Sequence, residues 1–160
     1  MTPTAPAGRA GKYLTFVLDG EDYAFPVGHV REITRITDIT VVPRMPSHVS
    51  GVINLRGKVV PVMDLRVRFN LTATPPTDET CIIVTEASVG DQRVVFGAIV
   101  DRVSEVLNVS AEDIESRPDF GDRVDTQYIL GIAKIKDRIK ILLDLDQMLA
   151  DDARVTGRAA

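Results

Sequence analysis

The chain has 160 residues, of which 44% are hydrophobic and 26% charged, with a net charge of −4. That length suits one domain or two small lobes packed together. The acidic balance argues against a general nucleic-acid binder, which carries a basic face. A single cysteine, Cys81, excludes an internal disulfide; within the apolar run Cys81-Ile82-Ile83-Val84 it acts as a small hydrophobe, compatible with a reducing cytoplasm.

Residues 1–11 are small and polar with Pro and Gly, lack the apolar core of a secretory signal, and predict a loose tail. No apolar run approaches a membrane span; the longest is Val94 to Val100. Tyr13 to Leu18 favours a strand, Gly20-Glu21-Asp22 a turn, and Tyr23 to Val27 a second strand, giving a first hairpin. Gly28 to Ile33 predicts a short helical turn entering another strand. Thr40-Val41-Val42 is extended and stops at Pro43. Val52 to Leu55 and Val59 to Met63 form a central hairpin rich in Val, Ile and Leu, with Arg56-Gly57 at the turn, where glycine supplies a positive φ. Asp64 to Phe69 reads as a helical turn with an acidic start.

Leu71 to Thr80 contains Pro75-Pro76 and four threonines and marks the lobe boundary. Cys81 to Thr85 pairs with Val94 to Val100 around Gly90-Asp91-Gln92, and Arg102 to Val109 is extended. Ser110 to Asp113 is a helix start with an acid three residues after the serine. Arg117 to Asp125 is charged and irregular. Leu130 to Lys136 and Arg138 to Leu143 form a late hairpin, Asp144 to Ala150 a short capped helix, and residues 151–160 a second tail.

The halves repeat. Gly51-Val52, Leu55, Val59 and Val62-Met63-Asp64-Leu65 align without a gap on Gly131-Ile132, Ile135, Ile139 and Leu142-Leu143-Asp144-Leu145. Phe25, Val27, Val30, Glu32 and Ile33 align on Ala98, Val100, Val103, Glu105 and Val106. Matching order in both halves predicts two related small β barrels.

Chemistry is scarce. His29 and His48 lie in separate turns without a Cys or carboxylate at metal-ligand spacing and read as solvated loop histidines. Gly51 to Val59 superficially resembles a phosphate loop, but its glycine spacing is one residue too long and Val59 replaces the required Ser or Thr. No nucleophile elbow or Cys/His pair stands out, and carboxylates such as Asp101, Glu105, Asp144 and Asp146 fall in caps and turns. These absences argue against an enzyme and a metal site. Glu32 lies between Val30 and Ile33, and Arg56 at a stiff turn between Leu55 and Gly57. Charges fixed on a β scaffold among apolar residues suit a protein-binding surface. Composition alone favours a solvated turn residue for Arg56, and the plain reading of Glu32 is an ordinary strand charge facing water. A small-barrel nucleic-acid module is the alternative; it needs a basic groove with exposed aromatics, which the few Tyr and Phe, mostly inside apolar runs, do not supply.

GVINLRGKVVPVMDLR resembles the signature hairpin of the CheW family of bacterial chemotaxis coupling proteins. YAFPVGHVREI, VVFGAIVDRVSEVLNVSAEDIE and YILGIAKIKDRIKILLDLDQML are similar to its other segments, so the likeness covers about Lys12 to Ala150. The resemblance implies an all-β fold of two SH3-like five-stranded barrels side by side with short helical turns and a short C-terminal helix. Lobe one spans about 20–74 and lobe two about 78–150, with the first strand bridging them. It implies a cytoplasmic, non-catalytic adaptor without cofactor or metal. Its partners would be the regulatory domain of the histidine kinase CheA and the cytoplasmic tip of a chemoreceptor; it would bind no nucleic acid and insert in no membrane. The family's binding and functionally sensitive positions fall on Val30, Glu32, Ile33, Gly51, Asn54, Leu55, Arg56, Gly57, Gly97, Val103 and Gly131. Arg102 departs from the small residues common in relatives.

Overall fold

Short apolar runs with little helical periodicity become strands. The computed structural model describes residues 10–115 and 128–156; the charged segment Arg117 to Asp125 lies outside them. The strands are β1 (Gly11–Leu18), β2 (Glu21–Pro26), β3 (Val30–Arg35), β4 (Val49–Leu55), β5 (Lys58–Asp64), β6 (Cys81–Val89), β7 (Gln92–Val100), β8 (Arg102–Val109), β9 (Ile114–Glu115), β10 (Ile129–Ile135) and β11 (Arg138–Leu143). Helix α1 (Leu65–Arg68) follows β5 and α2 (Leu145–Thr156) follows β11. Each starts after an aspartate whose carboxylate accepts a backbone amide, Asp64 from Arg66 at 3.0 Å and Asp144 from Gln147 at 3.1 Å. The tail expected from Asp151 onward is helical to Thr156. Ser110 opens a single 3₁₀ turn, Ala111–Asp113, held by the Asp113 carboxylate accepting from the Ser110 amide and hydroxyl.

The strands form two sheets, a six-stranded one in the order β8-β1-β2-β11-β10-β9 and a five-stranded one in the order β3-β6-β7-β5-β4. Sheet membership therefore does not follow the expected split near residue 75. β2 reaches β3 through one 3₁₀ turn, Val27–His29, and β7 reaches β8 through Asp101 alone. Through these two connections β3 and β8 each pass to the other sheet. The first sheet takes its centre from the N-terminal hairpin and its flanks from the second half of the chain. It also carries one strand more than expected, the two-residue β9. The central hairpin lies with β4 at an edge of its sheet. Both β4–β5 and β10–β11 turn through two residues of positive φ, Arg56 and Gly57 in one, Lys136 and Asp137 in the other, as type I′ turns require.

The repeat is visible in the pairing. β2 and β11 run parallel, as do β7 and β5, while the other pairs are antiparallel. Bulges recur at Val49/Gly51 and at Ile129/Gly131. Of the expected extended stretch 40–42, only Thr40 pairs, bridging Val52, and this is the counterpart of Glu115 on Ile132. Gly131 admits that neighbour: a Cβ there would lie 2.7 Å from Ile114 Cγ2 and 3.0 Å from Glu115 O. Gly131→Ala is expected to lower stability by about 1–2 kcal/mol in a denaturant titration, because a side-chain methyl can yield part of the space.

One apolar cluster joins the sheets, with Phe16 and Phe25 of the first against Ile83, Ala98 and Val100 of the second and Leu145 and Met148 of α2. Each sheet also has its own smaller cluster, around Tyr13, Ala24 and Leu142 in the first and Ile53, Val60 and Ile82 in the second. Among the described residues no helix is long and apolar enough to cross a membrane.

Candidate functional site

β3 and β4 are the two edges of the second sheet, and one ion pair joins them. Glu32 projects from β3, and Arg56 sits at the first position of the β4–β5 turn. Arg56 Nη1 donates to Glu32 Oε2 at 3.0 Å and Nη2 donates to Oε1, a two-pronged contact that an arginine fork and a carboxylate make well. The hydrogen bond from Arg56 holds the Glu32 carboxyl below its ordinary range, and the Glu32 carboxylate raises the Arg56 guanidinium in turn. Asn54 stiffens the turn, its Oδ1 accepting the Gly57 amide at 2.8 Å. The positive φ at Arg56, 51°, is strained for a side-chain-bearing residue, and this bond helps to hold it.

Beneath the pair lies a cavity of about 360 Å³, walled by Leu55, Val59, Val60, Val84 and Val95, with Arg31 and Lys58 at its rim. Val59 is 71% exposed, and Ile33, next along β3, is 44% exposed. Scattered exposed apolar residues are ordinary on a protein surface. Here they flank a hollow of mixed valine, leucine and charged lining and an arginine on a rigid turn, a combination suited to a protein interface.

The predicted positions divide into two groups. Glu32, Leu55 and Arg56 meet at the cavity, Asn54 and Gly57 shape the turn, and Ile33 is exposed beside it. Val30 is half-buried against the shared core, as is Val103, which lies in β8 of the other sheet. The glycines make room for neighbouring chain. A Cβ at Gly51 would lie 2.1 Å from Thr40 O, and one at Gly97 2.6 Å from Ile82 Cγ2. Gly51, Gly97 and Gly131 are buried, so they shape the scaffold rather than offer a surface.

Sequence reasoning missed Arg31, Lys58, Val59, Val84 and Val95 as lining residues. Val59 was legible: Val59 and Val60 are adjacent, and neighbours in a strand face opposite ways, so one had to point outward. His29 is not simply solvated, since its Nδ1 lies 2.8 Å from the Glu86 carbonyl oxygen. Among the described residues no three His, Cys, Asp or Glu side chains cluster as metal ligands would.

Residues 12–153 match the CheW-like domain. The chain is 37% identical to the chemotaxis protein CheW of Bacillus subtilis over 147 residues, covering 91% of each chain. It is 36% identical to that of Klebsiella aerogenes over 141 residues, covering 88% of this chain and 82% of the other. The solved structure of the scaffolding protein TtCheW from Thermoanaerobacter tengcongensis superposes with a TM-score of 0.73 at 34% identity, over 84% of this chain and 88% of that one. Its two sheets, its paired hairpins and this likeness over most of its length place the chain in the CheW family of chemotaxis adaptor proteins.

Proposed function

We propose that the protein is a cytoplasmic, non-catalytic adaptor that joins the cytoplasmic tip of a chemoreceptor to the regulatory domain of the kinase CheA. The observation that carries this is the Glu32–Arg56 pair over a cavity with valine and leucine walls and a charged rim, flanked by the exposed Val59. A partner side chain can fill the hollow while partner carboxylates or carbonyls compete for the arginine fork. Signalling then needs no reaction. It needs only that the assembled complex favour one kinase state over another.

The test is Arg56→Glu, which sets two like charges against each other at the rim. Binding of the purified kinase regulatory domain and of a receptor-tip fragment is measured by calorimetry, and folding by thermal melting. At least one partner is expected to bind about tenfold more weakly or worse, as for loss of an interface arginine, while the melting temperature stays near wild type because an exposed pair contributes little to folding. Unchanged affinity for both partners removes this site. Failure of the wild-type chain to bind either partner removes the adaptor reading itself.

A further inference from the structure

Each helix sends a hydrogen-bonded tether from its own sheet toward the other. α2 follows the last strand of the first sheet and sends Asp146 to the second, where its Oδ1 accepts the Ser88 amide at 2.8 Å. α1 follows β5 of the second sheet and sends Arg66 toward the first. The strand registers place Asp19 and Ser88 at matching points of the two N-terminal hairpins, and Arg66 and Asp146 at matching points of the two helices. An arginine cannot accept an amide, so this corner is built differently. Arg66 Nη1 donates to Asp101 Oδ1 at 2.9 Å, and Asp101 Oδ2 accepts the Asp19 amide at 2.7 Å. The carboxylate that α2 supplies directly is supplied here by a second residue that the arginine holds.

Arg66 is only 4% exposed and lies away from the Glu32–Arg56 cavity. Its Nε and Nη2 grip the two oxygens of Asp64, each at 3.0 Å, and Nη1 also donates to the Thr74 carbonyl in the link to β6 at 3.1 Å. Asp101 stands at the crossing from β7 to β8, and its amide donates to Val17 O at 3.0 Å. One guanidinium thus ties the end of β5, the link between the halves, the crossing strand and the turn of the opposite hairpin. The shared apolar core holds the sheets together but is non-directional. The charged hydrogen bonds are directional, and a planar fork meets these acceptors in a way a lysine ammonium cannot.

We infer that Arg66, acting through Asp101, is the positioning residue that sets the angle between the two sheets and so transmits the occupancy of one docking face to the other. The transmission half rests on the adaptor function proposed above; the angle half does not. Arg66→Lys and Asp101→Ala are made in the full chain, with spin labels at Asp91 in the β6–β7 turn and Asn108 in β8, both exposed. Pulsed electron resonance is expected to show a broadened inter-label distance in both variants. Affinity for each partner alone is expected to stay within about twofold of wild type, while the gain in kinase-domain affinity on saturating the receptor tip falls about fivefold, within the usual range of allosteric couplings. A purely structural role would weaken both binary affinities together with the melting temperature. If Arg66→Lys does not fold, Asp101→Ala decides alone. An inter-label distance as narrow as wild type overturns the inference, and broadened distances with undiminished coupling overturn its transmission half. A wild-type chain that binds neither partner leaves the distance result to decide the angle.

Discussion

Asp22→Val is expected to lower folding stability by about 3 kcal/mol, and adding Lys140→Val is expected to restore most of it. The two residues face each other across the parallel β2–β11 pair, with Lys140 Nζ 3.1 Å from Asp22 Oδ2 and both side chains less than a tenth exposed. Arg138, largely exposed, adds a second bond at 2.8 Å. Removing Asp22 leaves the Lys140 ammonium buried without its anion. Lys140→Val alone is the milder change, because Asp22 keeps Arg138. The double variant is a substitution the protein already contains. The repeat sets Val60 of the second sheet on Lys140 and Val95 on Asp22, so that sheet has two valines where the first has an ion pair. Replacing a buried pair by apolar side chains of the right shape is often neutral. Urea titrations of the two single variants and the double give the answer; a double variant as unstable as Asp22→Val refutes the equivalence of the two sites.

The same pair has a pH signature. Burial opposes ionisation of Asp22, but hydrogen bonds from Arg138 and Lys140 and their charge outweigh it, leaving its carboxyl below its ordinary value of 3.8. The contribution is therefore complete above that ordinary value and is lost as acid takes the pH down through the lower folded-state value. Acid titration of wild type beside the double valine variant should show the wild type losing more stability on that descent.

Gly51→Val is expected to be comparably severe, about 3 kcal/mol or more, and to leave no route to rescue by a neighbouring substitution. The clash is with backbone: Thr40 O at 2.1 Å and Thr40 C at 2.8 Å, with Ile39 Cγ2 at 2.9 Å. The φ of 148° adds strain for any residue with a Cβ. Relief would require breaking the Thr40–Val52 bridge, whose two backbone bonds are each 2.9 Å and which secures the edge of β4. That edge carries the Arg56 turn, so the variant should also weaken partner binding, unlike Gly131→Ala in the other sheet. A thermal melt close to wild type would show that the segment before β4 is not fixed by this contact.

The strands themselves were legible because short runs rich in Val, Ile and aromatic residues, bounded by Gly, Pro and Asp, report local geometry. β8 and β11 fall where the sequence places them, and β6 and β7 only run further toward their turn than expected. Sheet membership was not legible. Pairing of β3 with β6, or β1 with β8, is set by how a very short crossing redirects the chain, and no property of either strand records it. At the site, the turn chemistry and the family resemblance pointed to Arg56, and Glu32 stood out among apolar neighbours, yet their pairing across 24 residues depends on the sheet curling its edges together. Asp22 and Lys140 were invisible for other reasons: Asp22 was expected in a turn, whereas β2 already begins at Glu21, a strand charge such as Lys140 ordinarily faces water, and only the parallel contact of β2 with β11 puts them inside. Val41, in the stretch expected to be extended, is 76% exposed, since nothing beyond Thr40 pairs there.

The exchange of β3 and β8 has a consequence for biosynthesis. β1 and β2 occupy the middle of a sheet whose flanking strands are made last. While the chain leaves the ribosome, that hairpin waits with both sides unsatisfied until β8 and β11 emerge. Contacts so distant along the chain close slowly, and the open sides are templates for wrong partners in the meantime.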